Sequence, residues 1–171
     1  MTHRPLGPVV SSSHLADGPL PELSELEFGM TIASNAFERW MVRAMAAAGQ
    51  ADLSALEVQI LHSVHHRKRA KTLADICLML NMEDTYTVNY AIKKLVKSGL
   101  VIVGKQGKEK TVAASATGAT ACARYKEVRE QLLLQAVSEL GIDPAQISRL
   151  SGLLRLMSGH YDQAARAAAA V

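Results

Sequence analysis

One stretch of the sequence, Met82 to Val101, carries hydrogen-bonding and basic side chains at helical spacing: MEDTYTVNYAIKKLVKSGLV. Apolar residues that recur every three or four positions predict its buried side: Val88, Ile92, Leu95 and Val96. The other side carries Thr85, Tyr86, Thr87, Asn89, Tyr90, Lys93, Lys94 and Lys97. Asparagine can bond adenine through two hydrogen bonds, Thr and Tyr reach phosphates or the thymine methyl, and lysines neutralise phosphates. This face therefore predicts contact with nucleic acid.

The elements around this helix predict how it is positioned. Before it, Thr72 opens a short apolar helix, TLADICLML, and residues 81–84 form a polar turn in which Asp84 or Thr85 can cap the next helix. Two helices joined by a short turn predict a helix-turn-helix, whose second helix enters the DNA major groove. Arg69 and Lys71, from the basic run HHRKRAK just before the short helix, are added as candidate DNA contacts.

After the helix, Gly99 ends the pattern and LVIVGKQGKEKTVAAS follows. Four apolar β-formers, a charged tip between glycines and a return through Thr111 and Val112 predict a β-hairpin with a long, basic loop. Lys105, Lys108 and Lys110 lie near its tip, where they can bind a phosphate backbone. A hairpin in this place is the wing of a winged helix.

Composition and charge agree with this interpretation. The chain has 171 residues, 49% apolar and 4% aromatic, which favours a helical fold with a packed core. The formal charge is +3, but residues 62–110 hold ten Lys/Arg and four acidic residues, a net +6. One basic surface that meets a polyanion is therefore expected. Two cysteines, no apolar leader and no apolar run long enough for a membrane span predict a cytoplasmic protein without membrane association.

Long helical patterns flank the predicted winged helix. One runs from Pro21 to about Ala48, and a second begins at Ser54, which has capping-box spacing with Glu57. Two further helices are predicted at 117–140 and after Asp143–Pro144. The expected fold is mainly α with a small β-hairpin. Its expected segments are a flexible 1–19, an N-terminal dimerisation helix at 20–50, the winged helix at 51–115 and C-terminal dimerisation helices at 116–171.

Several other residues invite a chemical role. His62 and His66 have i, i+4 spacing, but neighbouring Arg and Lys repel cations, so no metal site and no cofactor are expected. Cys77 and Cys122 are expected to be small buried side chains rather than redox sensors. No phosphate-binding glycine loop, zinc motif or nucleophile elbow is present, so no enzyme is expected.

Residues from about Asp52 to Thr120 resemble the MarR family of bacterial winged-helix transcription regulators. The resemblance lies in LSALEVQILHSV, in KTLADICLMLNMEDTYTVNYAIKKLVKSGLV, and in ATGATACARYKEV where the family has a Leu-Thr-x-x-Gly segment. It implies a homodimer, most often a repressor, that binds a pseudo-palindromic double-stranded DNA operator. It also implies a small-molecule effector in a pocket near the dimer interface. Candidates to line it are Phe37, Trp40, Met41, Met45 and Met30, whose helical spacing is equally typical of core or dimer-interface residues. The recognition helix and wing tip contain no arginine, which makes Asn89 the preferred base-reading residue.

A second interpretation uses the same elements. Winged helices also occur in proteins that never bind DNA, and the basic helix and hairpin could bind an acidic protein instead. Retardation of DNA fragments at low salt separates the two.

Overall fold

A computed structural model of the chain describes residues 19–171, and the predicted flexible segment 1–19 lies almost wholly outside them. The fold is mainly helical with one small antiparallel sheet. The chain divides into two compact units between Lys126 and Glu127. The elements in chain order are α1 Pro21–Ala47, α2 Ala55–His65, β1 Lys71–Thr72, α3 Leu73–Leu80, α4 Thr85–Lys97, β2 Val101–Gln106, β3 Glu109–Ala114, α5 Ala116–Arg129, a π-helical segment Glu130–Leu134, α6 Gln135–Glu139 and α7 Pro144–Ala168.

The first unit is built around α2. Its N-terminus has the predicted capping box, in which the Ser54 N–H donates to Glu57 Oε2 at 2.9 Å and the Glu57 N–H donates to Ser54 Oγ at 3.3 Å. Val58, Ile60 and Leu61 are fully buried. Because α2 packs against α1, α3, α4 and β3, none of its residues is exposed, and even Glu57 and Ser63 are buried.

The sheet differs from the predicted hairpin in two respects. The strand order is β1-β3-β2, because the two-residue strand β1 pairs antiparallel with β3 and was not predicted. The hairpin loop is also short, so the prediction of a long loop is wrong. The strands continue to Gln106 and Glu109 and leave only a turn at Gly107 and Lys108, where Gly107 has a φ of 62°. A glycine at positive φ allows so tight a turn.

The two ends of the hairpin meet at the start of α5. The Ser115 N–H donates to the Leu100 carbonyl at 3.0 Å, and the Ser115 hydroxyl donates to the Gly99 carbonyl at 2.6 Å. The Gly118 N–H in turn donates to Ser115 Oγ at 3.0 Å. A Cβ at Gly118 would lie 2.0 Å from the Leu100 oxygen, so only glycine permits this approach.

The second unit contains residues 127–171. The helical path predicted for 117–140 is present, but a π-helical segment interrupts it at Glu130–Leu134. As predicted, Asp143 caps α7, with its Oδ1 accepting from the Ala145 N–H at 2.9 Å, and Pro144 is the first helical residue. Along α7 large apolar side chains are exposed: Ile147, Leu150, Leu153, Leu154 and Leu156. Within residues 19–171, no helix is long and apolar enough to span a bilayer.

Candidate nucleic-acid interface

The helix-turn-helix consists of α3 and α4, joined by residues 81–84. A second capping box fixes the start of α3, because the Thr72 N–H donates to Asp75 Oδ2 at 2.9 Å and the Asp75 N–H donates to Thr72 Oγ1 at 3.1 Å. Asn81 ends α3 in the left-handed conformation, with a φ of 52°. Ile76 from α3 is buried, and α3 packs against α4. These contacts set the orientation of α4.

The two sides of α4 have opposite characters. Val88, Ala91, Ile92 and Leu95 are buried, whereas Val96, predicted on the same side, is exposed. At 100° per residue, the stripe opposite the buried side consists of Tyr86, Tyr90, Lys93 and Lys97. Tyr86 is 87% exposed and Tyr90 67%, while Asn89, at the edge of this stripe, is partly buried. The most outward side chains are therefore two tyrosines followed by two lysines.

The cap of α4 uses one of the predicted DNA contacts. Asp84 Oδ1 accepts hydrogen bonds from the N–H groups of Tyr86 and Thr87, at 2.9 and 3.2 Å. The Thr87 hydroxyl donates to Asp84 Oδ2, and this bond is the main reason that the pKa of the Asp84 carboxyl lies below its ordinary value. Thr87 therefore serves the cap, whereas Thr85 is exposed in the first turn.

Lys94 has an ion-pair partner, whereas its neighbour Lys93 is exposed on the outward stripe. The Lys94 ammonium forms an ion pair with Glu57, a carboxylate at the N-terminus of α2 whose side chain is 2% exposed. The hydrogen bond with Glu57 raises the pKa of Lys94. The sequence indicated only the capping role of Glu57 and gave no sign of this pair.

The wing carries a concentration of positive charge. Lys105 and Lys110 are directly opposite each other across β2 and β3, and Lys108 lies in the turn between the strands. All three are exposed. Like charges directly opposite in a sheet repel each other, and a bound anion would relieve that repulsion. The tip of the wing is therefore suited to a polyanion.

Arg69 and Lys71 separate in the structure. Arg69 is exposed, but Lys71 lies in β1 and is only 9% exposed. The Lys71 ammonium donates to the carbonyls of His66 and Arg69, both at 3.3 Å. Burial lowers the pKa of Lys71, and Arg69 and Arg67 add to the shift. Lys71 thus holds the loop before α3 through hydrogen bonds to its backbone.

The candidate effector residues occupy one end of α1. Met41 and Met45 are buried against the first unit's core, Trp40 is partly buried and Phe37 is exposed. The Trp40 indole Nε1 and the His62 Nε2 are both buried, and neither has a hydrogen-bond partner among the described residues. His62 packs edge-on against Tyr125 with ring centroids 4.5 Å apart, and burial lowers its pKa.

The cysteines lie inside the first unit. Cys77 and Cys122 are free and buried, and burial raises the pKa of the Cys122 thiol to about 11. A thiol with so high a pKa is unreactive at neutral pH. In the described part of the chain, no three His, Cys, Asp or Glu side chains are grouped so that they could hold a metal ion.

Comparisons with known proteins agree with this architecture. Residues 53–118 match the family model described as a winged helix DNA-binding domain. No curated protein matches the sequence.

Solved structures extend the likeness beyond the winged helix. A MarR family regulator from Neisseria meningitidis is 18% identical with a TM-score of 0.64, covering 84% of this chain and 95% of its own. The transcriptional regulator BldR from Sulfolobus solfataricus is 16% identical with a TM-score of 0.65, covering 83% and 99%. CouR from Rhodococcus jostii, solved with p-coumaroyl-CoA bound, is 14% identical with a TM-score of 0.62, covering 78% and 91%. This chain contains a winged helix DNA-binding domain and has the fold of the MarR family regulators.

Proposed function

We propose that the protein is a cytoplasmic transcription regulator that binds a specific double-stranded DNA sequence as a homodimer. Its expected mode is repression of a pseudo-palindromic operator, with release by a small-molecule effector. The observation that carries the proposal is the outward stripe of α4, because Tyr86, Tyr90, Lys93 and Lys97 project from the second helix of a helix-turn-helix. Side chains at that position meet base edges and phosphates when such a helix enters the major groove.

The candidate contacts have different roles in this proposal. Tyr86 and Tyr90, with Asn89 beside them, are the proposed base readers, since phenol and amide groups hydrogen-bond to base edges and aromatic rings contact thymine methyl groups. Lys93, Lys97 and the wing lysines are proposed phosphate contacts. No ion-pair partner of these lysines lies within residues 19–171, so each can neutralise a phosphate without breaking an internal bond.

The homodimer is supported by the apolar surface of α7. Ile147, Leu150 and Leu154 recur at helical spacing and are exposed. A 25-residue helix with such a stripe is expected to bury it against a partner, and a second copy of the same helix is a self-complementary partner. Two copies would also present two recognition helices to the two halves of a palindromic site.

The effector is supported by two unsatisfied buried atoms. The Trp40 Nε1–H and His62 Nε2 lie in the first unit without hydrogen-bond partners there, at a cost that a polar ligand could offset. The bound p-coumaroyl-CoA of CouR is a property of CouR; it motivates a screen of small carboxylic acids and thioesters by melting shift. Trp40→Phe is expected to reduce the shift given by any compound that uses the indole N–H.

An electrophoretic mobility shift with random genomic fragments, run at 50 and 200 mM salt, tests DNA binding. Wild type is expected to retard fragments at low salt, and selection of the bound fragments identifies the operator. Lys105→Ala and Lys108→Ala are each expected to weaken binding to all fragments and to reduce the salt slope by about 1. Glu109→Ala, which removes an acidic side chain from the same hairpin, is the matched control and is expected to leave binding unchanged or stronger.

The outcomes separate the alternatives. No retardation at low salt would refute DNA binding and leave the interaction with an acidic protein as the better interpretation. Retardation with unchanged salt slopes in both lysine variants would show that the wing does not touch the backbone.

A further inference from the structure

We propose that Lys94 is a positioning residue for DNA recognition: buried Glu57 holds its ammonium, and the ion pair fixes where α4 presents Tyr86 and Tyr90. The inference rests on the proposed DNA-binding function and deepens it. It also departs from the sequence pattern, which grouped Lys94 with Lys93 and Lys97 as one set of phosphate contacts.

Glu57 is a buried carboxylate. Its side chain is 2% exposed, at the third position of α2, and both carboxylate oxygens have partners. Oε2 accepts from the Ser54 N–H and Oε1 pairs with Lys94. Burial of a carboxylate costs free energy unless such partners replace its hydration. The buried Glu57 carboxylate therefore needs the Lys94 ammonium as a partner.

Lys94 occupies a particular flank of α4. At 100° per residue, Lys94 lies on the flank of α4 between the buried side and the outward stripe of Tyr86, Tyr90, Lys93 and Lys97. That flank faces α2, against which α4 packs. The pair therefore joins the first turn of α2 to the third turn of α4, and it resists rotation of α4 about its axis.

The Lys94 ammonium could pair either with Glu57 or with a phosphate. The Lys94 side chain is 45% exposed, and its ammonium pairs with Glu57. If the ammonium moved to a phosphate, Glu57 would keep only the Ser54 N–H and would become a buried, poorly compensated charge facing a polyanion. Lys93 and Lys97 can bind phosphates with no such loss.

The test combines DNA binding with a melting cycle on the full chain. Lys94→Met keeps the aliphatic stem, Glu57→Gln keeps an acceptor for the Ser54 N–H, and Lys93→Met is the matched control on the outward stripe. The probes are a 30-base-pair duplex of random sequence and the most enriched fragment from the genomic selection. The quantity of interest is the ratio of the two affinities, since it does not depend on the folded fraction of a preparation.

Lys94→Met is expected to leave the salt slope on random duplex unchanged, whereas Lys93→Met reduces it by about 0.9. Lys94→Met is expected to lower the affinity ratio by about tenfold, as the loss of a base contact would, and Lys94→Arg is expected to restore it. Glu57→Gln and Lys94→Met are each expected to lower the melting temperature. The sum of these two decreases is expected to exceed the decrease in the double variant by about 3 °C, because both single variants break the same ion pair.

Three results would overturn the proposal. A salt slope that falls as much in Lys94→Met as in Lys93→Met would make Lys94 a phosphate contact. Additive melting shifts would show that the pair does not couple the two helices. An unchanged affinity ratio in Lys94→Met would make the pair structural only. If wild type bound neither probe, the proposed function would fail, and the melting cycle would still report whether the pair couples α2 to α4.

Discussion

At the scale of single residues, basic side chains close together in the sequence have different surroundings, because tertiary contacts determine their partners. Lys93 and Lys94 are adjacent in sequence, yet Lys93 is exposed on the outward stripe and Lys94 pairs with Glu57 from another helix. Lys71 is bonded to two backbone carbonyls, whereas Arg69 is exposed. Periodicity predicts the side of a helix on which a residue lies. It does not predict a partner from a distant part of the chain, such as Glu57 for Lys94.

Tyr90 provides a test of which residue reads bases. Tyr90→Ala is expected to weaken binding to the selected fragment by about 1–3 kcal/mol, because its ring lies on the most outward part of α4. Asn89→Ala is expected to cost less, since Asn89 is partly buried at the edge of that stripe. Fluorescence anisotropy with selected and random duplexes measures both. A larger loss of sequence preference in Asn89→Ala than in Tyr90→Ala would restore Asn89 as the main reader.

His62 gives the molecule a predictable response to acid. Burial, with a smaller effect of His65, lowers the pKa of His62 below its ordinary 6.5, so the unfolded chain binds a proton before the folded chain does. The His62 contribution to the free energy of unfolding is therefore fully present above pH 6.5, and it decreases as the pH drops below 6.5. Melting between pH 7.5 and 5.0 is expected to lower the wild-type midpoint by about 3 °C more than that of His62→Phe, which keeps a ring against Tyr125.

Asp75 and Asp84 do not contribute to the change in melting temperature between pH 7.5 and 5.0. The lowered pKa values of Asp75 and Asp84 affect stability only as the pH approaches their ordinary 3.8. Equal pH dependence in wild type and His62→Phe would contradict the assignment of the acid response to His62.

At the scale of elements, the sequence predicted what depends on neighbouring residues. The capping box of Ser54 and Glu57, the Asp84 cap and the start of α7 at Asp143–Pro144 are all confirmed, because their partners lie within three residues. Strand β1 was missed because two residues carry no period and its partner strand lies far along the chain. The length of the hairpin loop was overestimated because the charged residues from Lys105 to Lys110 continue both strands up to the turn.

A substitution at Gly118 tests how closely α5 packs against Leu100, the residue just before β2. Gly118→Ala is expected to destabilise the protein by about 3 kcal/mol or more, since the new Cβ would lie 2.0 Å from the Leu100 carbonyl oxygen. At most helical positions the opposite holds, because replacing glycine by alanine stabilises the helix. Urea denaturation measures the change. Ala123→Gly, at an exposed position of the same helix, is the control and is expected to cost about 1 kcal/mol. A stabilised Gly118→Ala would refute the close approach.

At the scale of the whole molecule, the proposed DNA-binding residues and the proposed dimerisation stripe lie on different elements. Ten of the 19 Lys and Arg residues lie in the predicted winged helix, while α7 carries the exposed stripe of Ile147, Leu150 and Leu154. The division of the chain into a DNA-binding segment and dimerisation helices, with boundaries near 50 and 115, remains a prediction. A polyanion and a second copy of the chain would then use different surfaces, so each can be disrupted separately by mutation.

Leu150→Asp is expected to separate the dimer, because it places a charge in the proposed self-complementary stripe of α7. Light scattering after size exclusion is expected to give the mass of one 18.4 kDa chain for this variant and twice that for wild type. Affinity for the selected fragment is expected to fall at least tenfold, since one recognition helix reads half a site. Arg149→Ala, the adjacent exposed position, is the control. A dimeric Leu150→Asp protein would place the interface elsewhere.

The junction of Ser115 with Gly99 and Leu100 makes the wing an exchangeable module. The chain leaves the helical core at Leu100 and returns to it at Ser115, and hydrogen bonds join those two points directly. Residues 102–110 are exposed throughout, while the buried Thr111 and Val112 anchor the return strand. We therefore expect that the outer hairpin can be lengthened, shortened or replaced without moving α4 or α5. Under the proposed function, DNA affinity and salt response would then be tunable, by evolution or by design, separately from the sequence that α4 would read.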